Sequence, residues 1–178
     1  MIFLTTGTEK FPFNRLLQAV DTAIGSKEIH QDVWGQIGKS SYRPQWFSYK
    51  EFFEFDQMKK VIQEAQIVIS HAGVGSTLLC LTLGKIPILF PRQKAFGEHL
   101  DDHQMEFAKR IEISGKVLVA YNEKDLIYKI SHYQHLIGEL QLRSTQNRKE
   151  ELVTYLREIA NGKKDVGDEP CLSPLVKD

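Results

Sequence analysis

The chain has 178 residues, 42% hydrophobic and 26% charged, a composition typical of a globular protein of one domain. Its 23 Lys and Arg residues balance 23 Asp and Glu residues, so the net charge is zero and the basic excess expected of a sequence-independent nucleic-acid binder is missing. Zero net charge provides little repulsion between copies, so a homo-oligomer of the isolated chain stays an alternative.

Short apolar runs and stretches of helical periodicity follow one another along the chain. The predicted elements are, in chain order, strand Ile2–Thr6, helix Pro12–Gly25, strand Val33–Ile37, strand Phe52–Phe55, helix Gln57–Ala65 with Asp56 as its N-cap, strand Ile67–Ser70, helix Val74–Leu83, strand Ile86–Phe90, helix Asp102–Ile113, strand Val117–Val119, and helices Glu123–Tyr133 and Gly138–Ala160.

This alternation of apolar strands and helices predicts an α/β fold, a Rossmann-like parallel sheet with helices on both faces. Ligands in such folds bind at the carboxyl ends of the strands. We expect one domain over residues 1–160 and a flexible polar tail over residues 161–178, where the chain becomes polar and contains prolines.

The sequence also predicts a cytoplasmic location. The N-terminal residues lack the basic segment and apolar core of a signal peptide, and no apolar run reaches the length of a membrane span. Cys80 and Cys171 belong to no metal-binding or redox spacing, so we expect both to be reduced and structural.

A glycine-bearing turn, S-H-A-G-V-G-S over residues 70–76, lies between a predicted strand and a predicted helix. Gly73 and Gly75 would let the backbone approach a ligand, and the free amides of the helix start favour an anion such as a diphosphate. Ser76 adds a hydroxyl donor, and His71 is a further candidate contact with the ligand. A tight turn without a ligand is the alternative. A dinucleotide fingerprint is disfavoured because Leu78 takes its third glycine position.

A polar cluster, G-E-H-L-D-D-H-Q over residues 97–104, follows the next predicted strand. Its carboxylate and amide side chains suit the hydroxyls of a sugar. The candidate contacts are Glu98, His99, Asp101, Asp102, His103 and Gln104. One aspartate could instead cap a helix, or the cluster could bind a metal, although its spacing matches no known structural metal site.

Three further segments are candidates for the same edge of the sheet. Arg92 could balance the charge of a diphosphate or be a solvated surface charge. The loop Thr6-Gly7-Thr8 and the residue Gly38 follow the first two predicted strands, where they could line a cleft or only form turns.

Four segments together resemble the family-28 glycosyltransferase C-terminal domain, over roughly residues 1–135. They are G-T-E-K-F-P-F (7–13), S-H-A-G-V-G-S (70–76), G-K-I-P-I-L-F-P-R (84–92) and G-E-H-L-D-D-H-Q (97–104). Within that family, the chain is most similar to small bacterial exopolysaccharide glycosyltransferase subunits, themselves similar to the catalytic subunit of the eukaryotic dolichol-linked N-acetylglucosaminyltransferase.

The resemblance implies the donor half of a GT-B enzyme. This half would bind a UDP-sugar without a metal or other cofactor, while a separate membrane-anchored subunit would bind a lipid-linked saccharide acceptor. The implied role is inverting transfer of a hexose, uronic acid or N-acetylhexosamine in surface-polysaccharide (capsule) synthesis, at the inner face of the membrane. Residues 73–76 would meet the diphosphate, and Asp102 and Gln104, with their neighbours Asp101 and His103, the sugar.

Two positions depart from the family pattern. Leu79 stands where many relatives carry a ribose-binding glutamate, and Glu9 stands where several bacterial relatives carry a histidine. We expect the general base on the partner, with His71, His99 and Glu9 as candidates in this chain. The alternative function is a non-catalytic subunit that binds a nucleotide sugar or activates a partner transferase.

Overall fold

The computed structural model describes residues 1–143, which build a six-stranded parallel sheet flanked by helices. The strands are β1 (Ile2–Thr5), β2 (Val33–Gln36), β3 (Ser48–Lys50), β4 (Ile67–Ser70), β5 (Ile88–Leu89) and β6 (Leu118–Val119). The helices are α1 (Asn14–Gly25), α2 (Phe55–Glu64), α3 (Val74–Thr82), α4 (His103–Ile113) and α5 (Glu123–Ser131), with a 3₁₀ helix at Lys94–Phe96. All of these elements belong to a first compact unit, Met1–Leu136. In the second unit, Ile137–Asp178, residues 137–143 are helical.

The strand order β3-β2-β1-β4-β5-β6 places the first and fourth strands side by side at the centre of the sheet. Leu4 on β1 pairs with Gly35 on one side and with Ile69 on the other. From β1 the chain continues to one side of the sheet and from β4 to the other. Right-handed crossovers therefore place α1 and α3 on opposite faces. The gap between the loops after β1 and β4 is the point where such sheets bind ligands.

Side chains from both faces of the sheet are buried, because helices cover each face. On one face, β1 and β4 pack against α2 and α3 in a cluster formed by Phe3, Val61, Ile62, Ala65, Val68 and Cys80. On the same face, Leu89 and Val119 pack against Ala108 of α4. Leu4 and Ile69 are fully buried on the opposite face. The predicted fold class is confirmed.

The third strand differs from the prediction. Phe52–Phe55 is not a strand: β3 lies earlier, at Ser48–Lys50, and α2 begins at Phe55. The Phe53 ring packs edge-on against Trp34, and its amide donates to Gln36 Oε1 (3.0 Å), so this aromatic segment is a loop that closes over the sheet. An edge strand that exposes every residue carries no apolar pattern, which is why the sequence did not indicate it.

The other predicted elements of the first unit are present, with bounds that agree within two residues. Asp56 is not the N-cap of α2, because Glu54 takes that position and Asp56 lies in the first turn. The predicted domain end at residue 160 and the tail 161–178 lie outside the described residues and stay predictions. None of the helices within residues 1–143 has both the length and the apolar character needed to cross a bilayer.

Candidate functional site

The imidazole of His71 lies between two glycines at the switch point of the sheet. A Cβ atom at Gly7, after β1, would stand 2.3 Å from His71 Cε1, and one at Gly73, before α3, would stand 2.4 Å from His71 Nε2. His71 is only 8% exposed, and its Nδ1 atom is buried without a hydrogen-bond partner among residues 1–143. The two glycines therefore make room for the ring, which fills the space between the two loops.

The environment of His71 keeps its ring neutral. Burial, together with the positive charge of Arg92 and a smaller contribution from His99, lowers the pKa of His71 from 6.5 to about 4. A neutral imidazole has one hydrogen-bond donor and one acceptor, so it can donate to a phosphate oxygen. Since an effective general base has a pKa near the working pH, this environment favours a binding role over a basic one.

A cavity of about 280 Å³ opens beside His71. It is lined by Thr5, Gly7, Thr8, Gln36, Met58, Ile62, His71, Gly73, Gly75, Ser76, Leu79 and Cys80. The structure thus brings together six of the predicted residues, namely Gly7, Thr8, His71, Gly73, Gly75 and Ser76. A larger groove of about 760 Å³ between α1 and α5 contains none of the predicted residues or glycine turns, so the smaller cavity is the candidate site.

Gln36 fixes the polar end of the cavity. Its Nε2 atom donates to Thr5 Oγ1 (3.2 Å) and to the Gly7 carbonyl (3.4 Å), while its Oε1 atom accepts the amide of Phe53. The side chain thus links the loops after β1, β2 and β3. A glutamine at the end of a buried strand was the only signal for this role, and Gln36 was not among the predicted site residues. In the apolar wall from α2 and α3, Leu79 was noted only as a departure from the family pattern. Met58, Ile62 and Cys80 were not predicted as site residues, because they resemble ordinary core residues.

The glycine turn presents the start of α3 to the cavity. Ser76 Oγ donates to the Gly73 carbonyl (3.0 Å) and accepts from Ser70 Oγ (3.0 Å), which ties the turn to the end of β4. The backbone hydrogen bonds of α3 begin with the Thr77 amide donating to the Gly73 carbonyl (3.0 Å). The amides before Thr77 are the groups that a helix start leaves for an anion.

Arg92 is buried, which contradicts the alternative of a solvated surface charge: it is only 1% exposed. Its guanidinium donates to the carbonyls of Thr6 (2.8 Å), Phe11 (2.9 Å) and Glu98 (3.0 Å). Burial lowers the pKa of Arg92 to about 10, so the side chain is still a cation at neutral pH. These contacts join the loop after β1 to the loop after β5, and they favour a positioning role for Arg92 over direct contact with a diphosphate.

Glu98 is also engaged within the protein. Both carboxylate oxygens accept hydrogen bonds from Arg15, at 2.9 Å each. These contacts favour a positioning role for Glu98, and its contact with a sugar stays a prediction. Sequence reasoning missed Arg15, because 83 residues separate it from its partner.

The remaining polar residues lie at the start of α4. Asp102 Oδ1 accepts the Lys94 amide (2.9 Å), and Gln104 Oε1 accepts the Arg92 amide (3.2 Å). The amide of His103 donates to Asp101 Oδ1 (3.1 Å), and this hydrogen bond lowers the pKa of Asp101. The structure thus places these side chains on one short segment beside the loop after β5.

Four predicted residues have other surroundings. Thr6 is buried and its hydroxyl donates to the Gln36 carbonyl (3.2 Å), while Gly38 packs so closely that a Cβ there would stand 2.7 Å from the Gly7 carbonyl oxygen. His99 Nδ1 lies 2.9 Å from Asp101 Oδ1, and Glu9 is exposed on the loop after β1. Within residues 1–143, no three His, Cys, Asp or Glu side chains converge in a way that would hold a metal.

A switch-point cavity bounded by a glycine turn and a helix start is typical of nucleotide-binding α/β domains. Residues 1–162 match the glycosyltransferase family 28 C-terminal domain, and the chain belongs to this family. The resemblance predicted from the four sequence segments is therefore confirmed.

Curated relatives are subunits of a transferase. The chain is 32% identical over 123 residues to the UDP-N-acetylglucosamine transferase subunit ALG13 of Homo sapiens, covering 64% of this chain and 10% of that protein. It is 36% identical over 138 residues to the ALG13 subunit of Yarrowia lipolytica, covering 67% of this chain and 65% of that one. The chain thus spans about a tenth of the human relative and under two thirds of the yeast relative.

Solved structures show the same fold at lower identity. MurG of Acinetobacter baumannii is 18% identical with a TM-score of 0.54, and the match covers 78% of this chain and 43% of that one. The Streptomyces glycosyltransferase SsfS6, complexed with thymidine diphosphate, is 17% identical with a TM-score of 0.54, covering 79% and 35%. The chain therefore corresponds to less than half of each of these glycosyltransferases.

Proposed function

We propose that this chain is the donor-binding subunit of a glycosyltransferase and that its donor is a UDP-sugar. The observation that carries the proposal is the cavity between Gly7 and the start of α3, with the neutral ring of His71 in its wall. Membership of family 28 and the transferase subunits among the curated relatives support it.

The turn at residues 73–76 would hold the diphosphate. Helix-start amides are donors for phosphate oxygens, and the dipole of α3 favours the negative charge of a diphosphate. The Ser76 hydroxyl, which donates to the Gly73 carbonyl in the free chain, would rotate to donate to the diphosphate. A neutral His71 adds one hydrogen-bond donor without adding a second positive charge beside that of Arg92. Donors arranged in advance around a departing diphosphate stabilise its developing charge, so transfer would proceed without a metal or other cofactor.

The sugar would lie against the segment from Asp101 to Gln104. This segment follows the loop after β5, and its side chains are oriented by hydrogen bonds to Lys94, Arg92 and one another. UDP-N-acetylglucosamine is the first donor to test, because the curated relatives are named for it. Other hexoses and a uronic acid are further candidates. A role in exopolysaccharide or capsule synthesis stays a prediction.

Transfer to an acceptor would need a partner subunit. Large apolar side chains are exposed on the loops and helix starts around this edge of the sheet, namely Phe52, Phe55, Val74, Leu78, Phe96 and Leu100. An apolar rim of this kind is what a protein partner covers. We propose that the partner is membrane-anchored, holds a lipid-linked saccharide and keeps this chain at the inner face of the membrane.

The general base would also come from the partner, and the anomeric centre would be inverted. Within this chain, His71 has too low a pKa for that role. His99, whose Nδ1 atom lies 2.9 Å from Asp101 Oδ1, and Glu9, exposed on the loop after β1, are the remaining candidates.

Calorimetric titration of the full chain with UDP and with UDP-N-acetylglucosamine, in the presence of EDTA, tests the donor site. We expect both ligands to bind. In the Asp102→Ala/Gln104→Ala variant, we expect weaker binding of the sugar nucleotide and nearly unchanged binding of UDP. Arg43→Met is the matched control, because Arg43 forms an exposed ion pair away from the cavity. Failure of both ligands to bind, even when membranes containing the partner are added, would contradict the proposal.

The alternative is a non-catalytic subunit, and Leu79 favours it. Leu79 lines the cavity with an apolar side chain, so it provides no carboxylate for a ribose. Transfer of labelled sugar to partner-containing membranes separates the two functions. A folded Ser76→Ala/His71→Ala variant that sustains full transfer would support the alternative, whereas a loss of transfer would support donor binding by this chain.

A further inference from the structure

A buried salt bridge joins the first turn of α1 to the loop after β5. Arg15 Nε and Nη2 donate to the two carboxylate oxygens of Glu98, each at 2.9 Å. The Arg15 and Glu98 side chains are 13% and 5% exposed. Two parallel hydrogen bonds between a planar guanidinium and a carboxylate fix direction as well as distance. The pair can therefore set the orientation of the loop.

Glu98 holds this loop together. Its Oε2 atom also accepts the Gln93 amide (2.9 Å), and its carbonyl accepts from Arg92 Nη1 (3.0 Å). Arg15 adds a hydrogen bond to the Pro91 carbonyl (3.0 Å). The loop from Pro91 to Glu98 thus has its two ends tied to one guanidinium on α1.

The guanidinium of Arg15 also lies over aromatic rings. Its Cζ atom is 4.2 Å from the centroid of Phe90 and 4.9 Å from that of Phe96. Rings on the strand end and on the loop itself restrict where the side chain can go. These ring contacts restrict the Arg15 guanidinium in addition to its hydrogen bonds with Glu98.

The segment proposed to contact the sugar is bonded to the backbone of this same loop. Asp102 Oδ1 accepts the Lys94 amide (2.9 Å), and Gln104 Oε1 accepts the Arg92 amide (3.2 Å). A shift of the loop would carry both side chains with it. The glycine turn at residues 73–76 is held by separate hydrogen bonds, from Ser70 and Ser76.

We propose that Arg15 is a positioning residue that sets, through Glu98, the placement of Asp102 and Gln104 against the donor sugar. This inference rests on the proposed function, in which those two side chains contact the sugar. A buried ion pair is weak evidence of stability, since desolvation offsets much of its attraction. A bidentate pair at the base of a binding loop instead provides the geometry that such a loop needs.

Two variants test the role of Arg15. Arg15→Met keeps the apolar contacts and removes the donors, while Arg15→Lys keeps the charge and loses the planar fork. Arg43→Met is the control, because it breaks an ion pair with Glu51 whose side chains are 50% and 59% exposed. Dissociation constants of the full chain are measured for UDP and for UDP-N-acetylglucosamine, with circular dichroism as the check of folding.

We expect the Arg15 variants to raise the dissociation constant of the sugar nucleotide about tenfold or more. The constant for UDP should change by less than about twofold, as should both constants in the control. Equal weakening of both ligands, or no weakening in a folded variant, would overturn the inference. If Arg15→Met does not fold, the same comparison of the two dissociation constants in Arg15→Lys decides.

Hydrogen exchange of the ligand-free chain provides a second measurement that does not depend on the proposed function. In the Arg15 variants, the amides of Gln93 and Lys94 should exchange about tenfold faster, while the Thr77 amide in α3 should be unaffected. Wild-type protection of Gln93 and Lys94 in a folded variant would overturn the inference. Absence of ligand binding by the wild-type chain, with faster exchange in the variants, would contradict the proposed function alone.

Discussion

Replacing Gly7 with alanine should destabilise the protein through a steric conflict with His71. The new Cβ would stand 2.3 Å from His71 Cε1 and 2.5 Å from Nε2, far inside van der Waals contact. Gly7 also has φ +77°, a conformation that costs a residue with a side chain about 1–2 kcal/mol. Overpacking a buried site costs about 1–3 kcal/mol. We therefore expect Gly7→Ala to lower the free energy of unfolding by about 2–5 kcal/mol.

Urea unfolding at pH 7 measures the effect, and Gly84→Ala is its matched control. Gly84 has φ +69°, but a Cβ there would meet nothing within 4 Å, so only the backbone cost of about 1–2 kcal/mol applies. Combining Gly7→Ala with His71→Ala removes the conflict, so the double variant should be more stable than the sum of the single effects predicts. If Gly7→Ala costs no more than Gly84→Ala, or if the two changes at Gly7 and His71 are additive, the ring does not lie against Gly7.

The remaining predictions concern the same loops. Because the folded pKa of His71 is about 4 and the unfolded value is 6.5, the unfolded chain binds the proton first, and stability should fall by about 2 kcal/mol between pH 7 and pH 5. Urea unfolding at the two pH values should show a smaller fall in His71→Gln. Arg92→Lys should cost about 2–3 kcal/mol, since several buried carbonyls lose their donor, whereas Arg43→Lys on the surface should change stability by less than about 0.5 kcal/mol. Gly75→Ala places a Cβ in open space, so the free energy of unfolding should stay the same or rise by up to about 1 kcal/mol. The same change should weaken the binding of UDP if the diphosphate approaches the backbone at residue 75.

Much of the fold could be predicted because most buried strands are short apolar runs and helices such as α1 have a 3.6-residue apolar period. Ile67–Ser70 shows this clearly, since its predicted and observed bounds are identical and all four residues are buried. β3 shows where the approach fails. Ser48–Lys50 is an edge strand that depends on pairing with β2, and that pairing leaves no trace in local composition.

The cavity could be predicted in part for a related reason. Glycines after parallel strands meet at one edge, so Gly7 and Gly73 could be expected near each other. The side chain that fills the space between the two glycines could not be predicted. His71 was predicted as a ligand contact or a base, and the structure adds that its ring occupies the space that both glycines leave open. The partners of Arg15 and Arg92 are distant in sequence, so a local pattern cannot indicate that these cations are bound internally.

The two arginines divide the candidate site into parts that can be perturbed separately. Arg92 joins the loop after β1 to the loop after β5, because its guanidinium binds the carbonyls of both Thr6 and Glu98. Arg15 holds only the second of these loops. Loss of the Arg92 guanidinium should therefore weaken the binding of both UDP and the sugar nucleotide. Loss of the Arg15 guanidinium should weaken only the binding of the sugar nucleotide. This contrast follows from the contacts themselves, and it would separate the proposed diphosphate wall from the proposed sugar wall without altering a residue that touches either ligand.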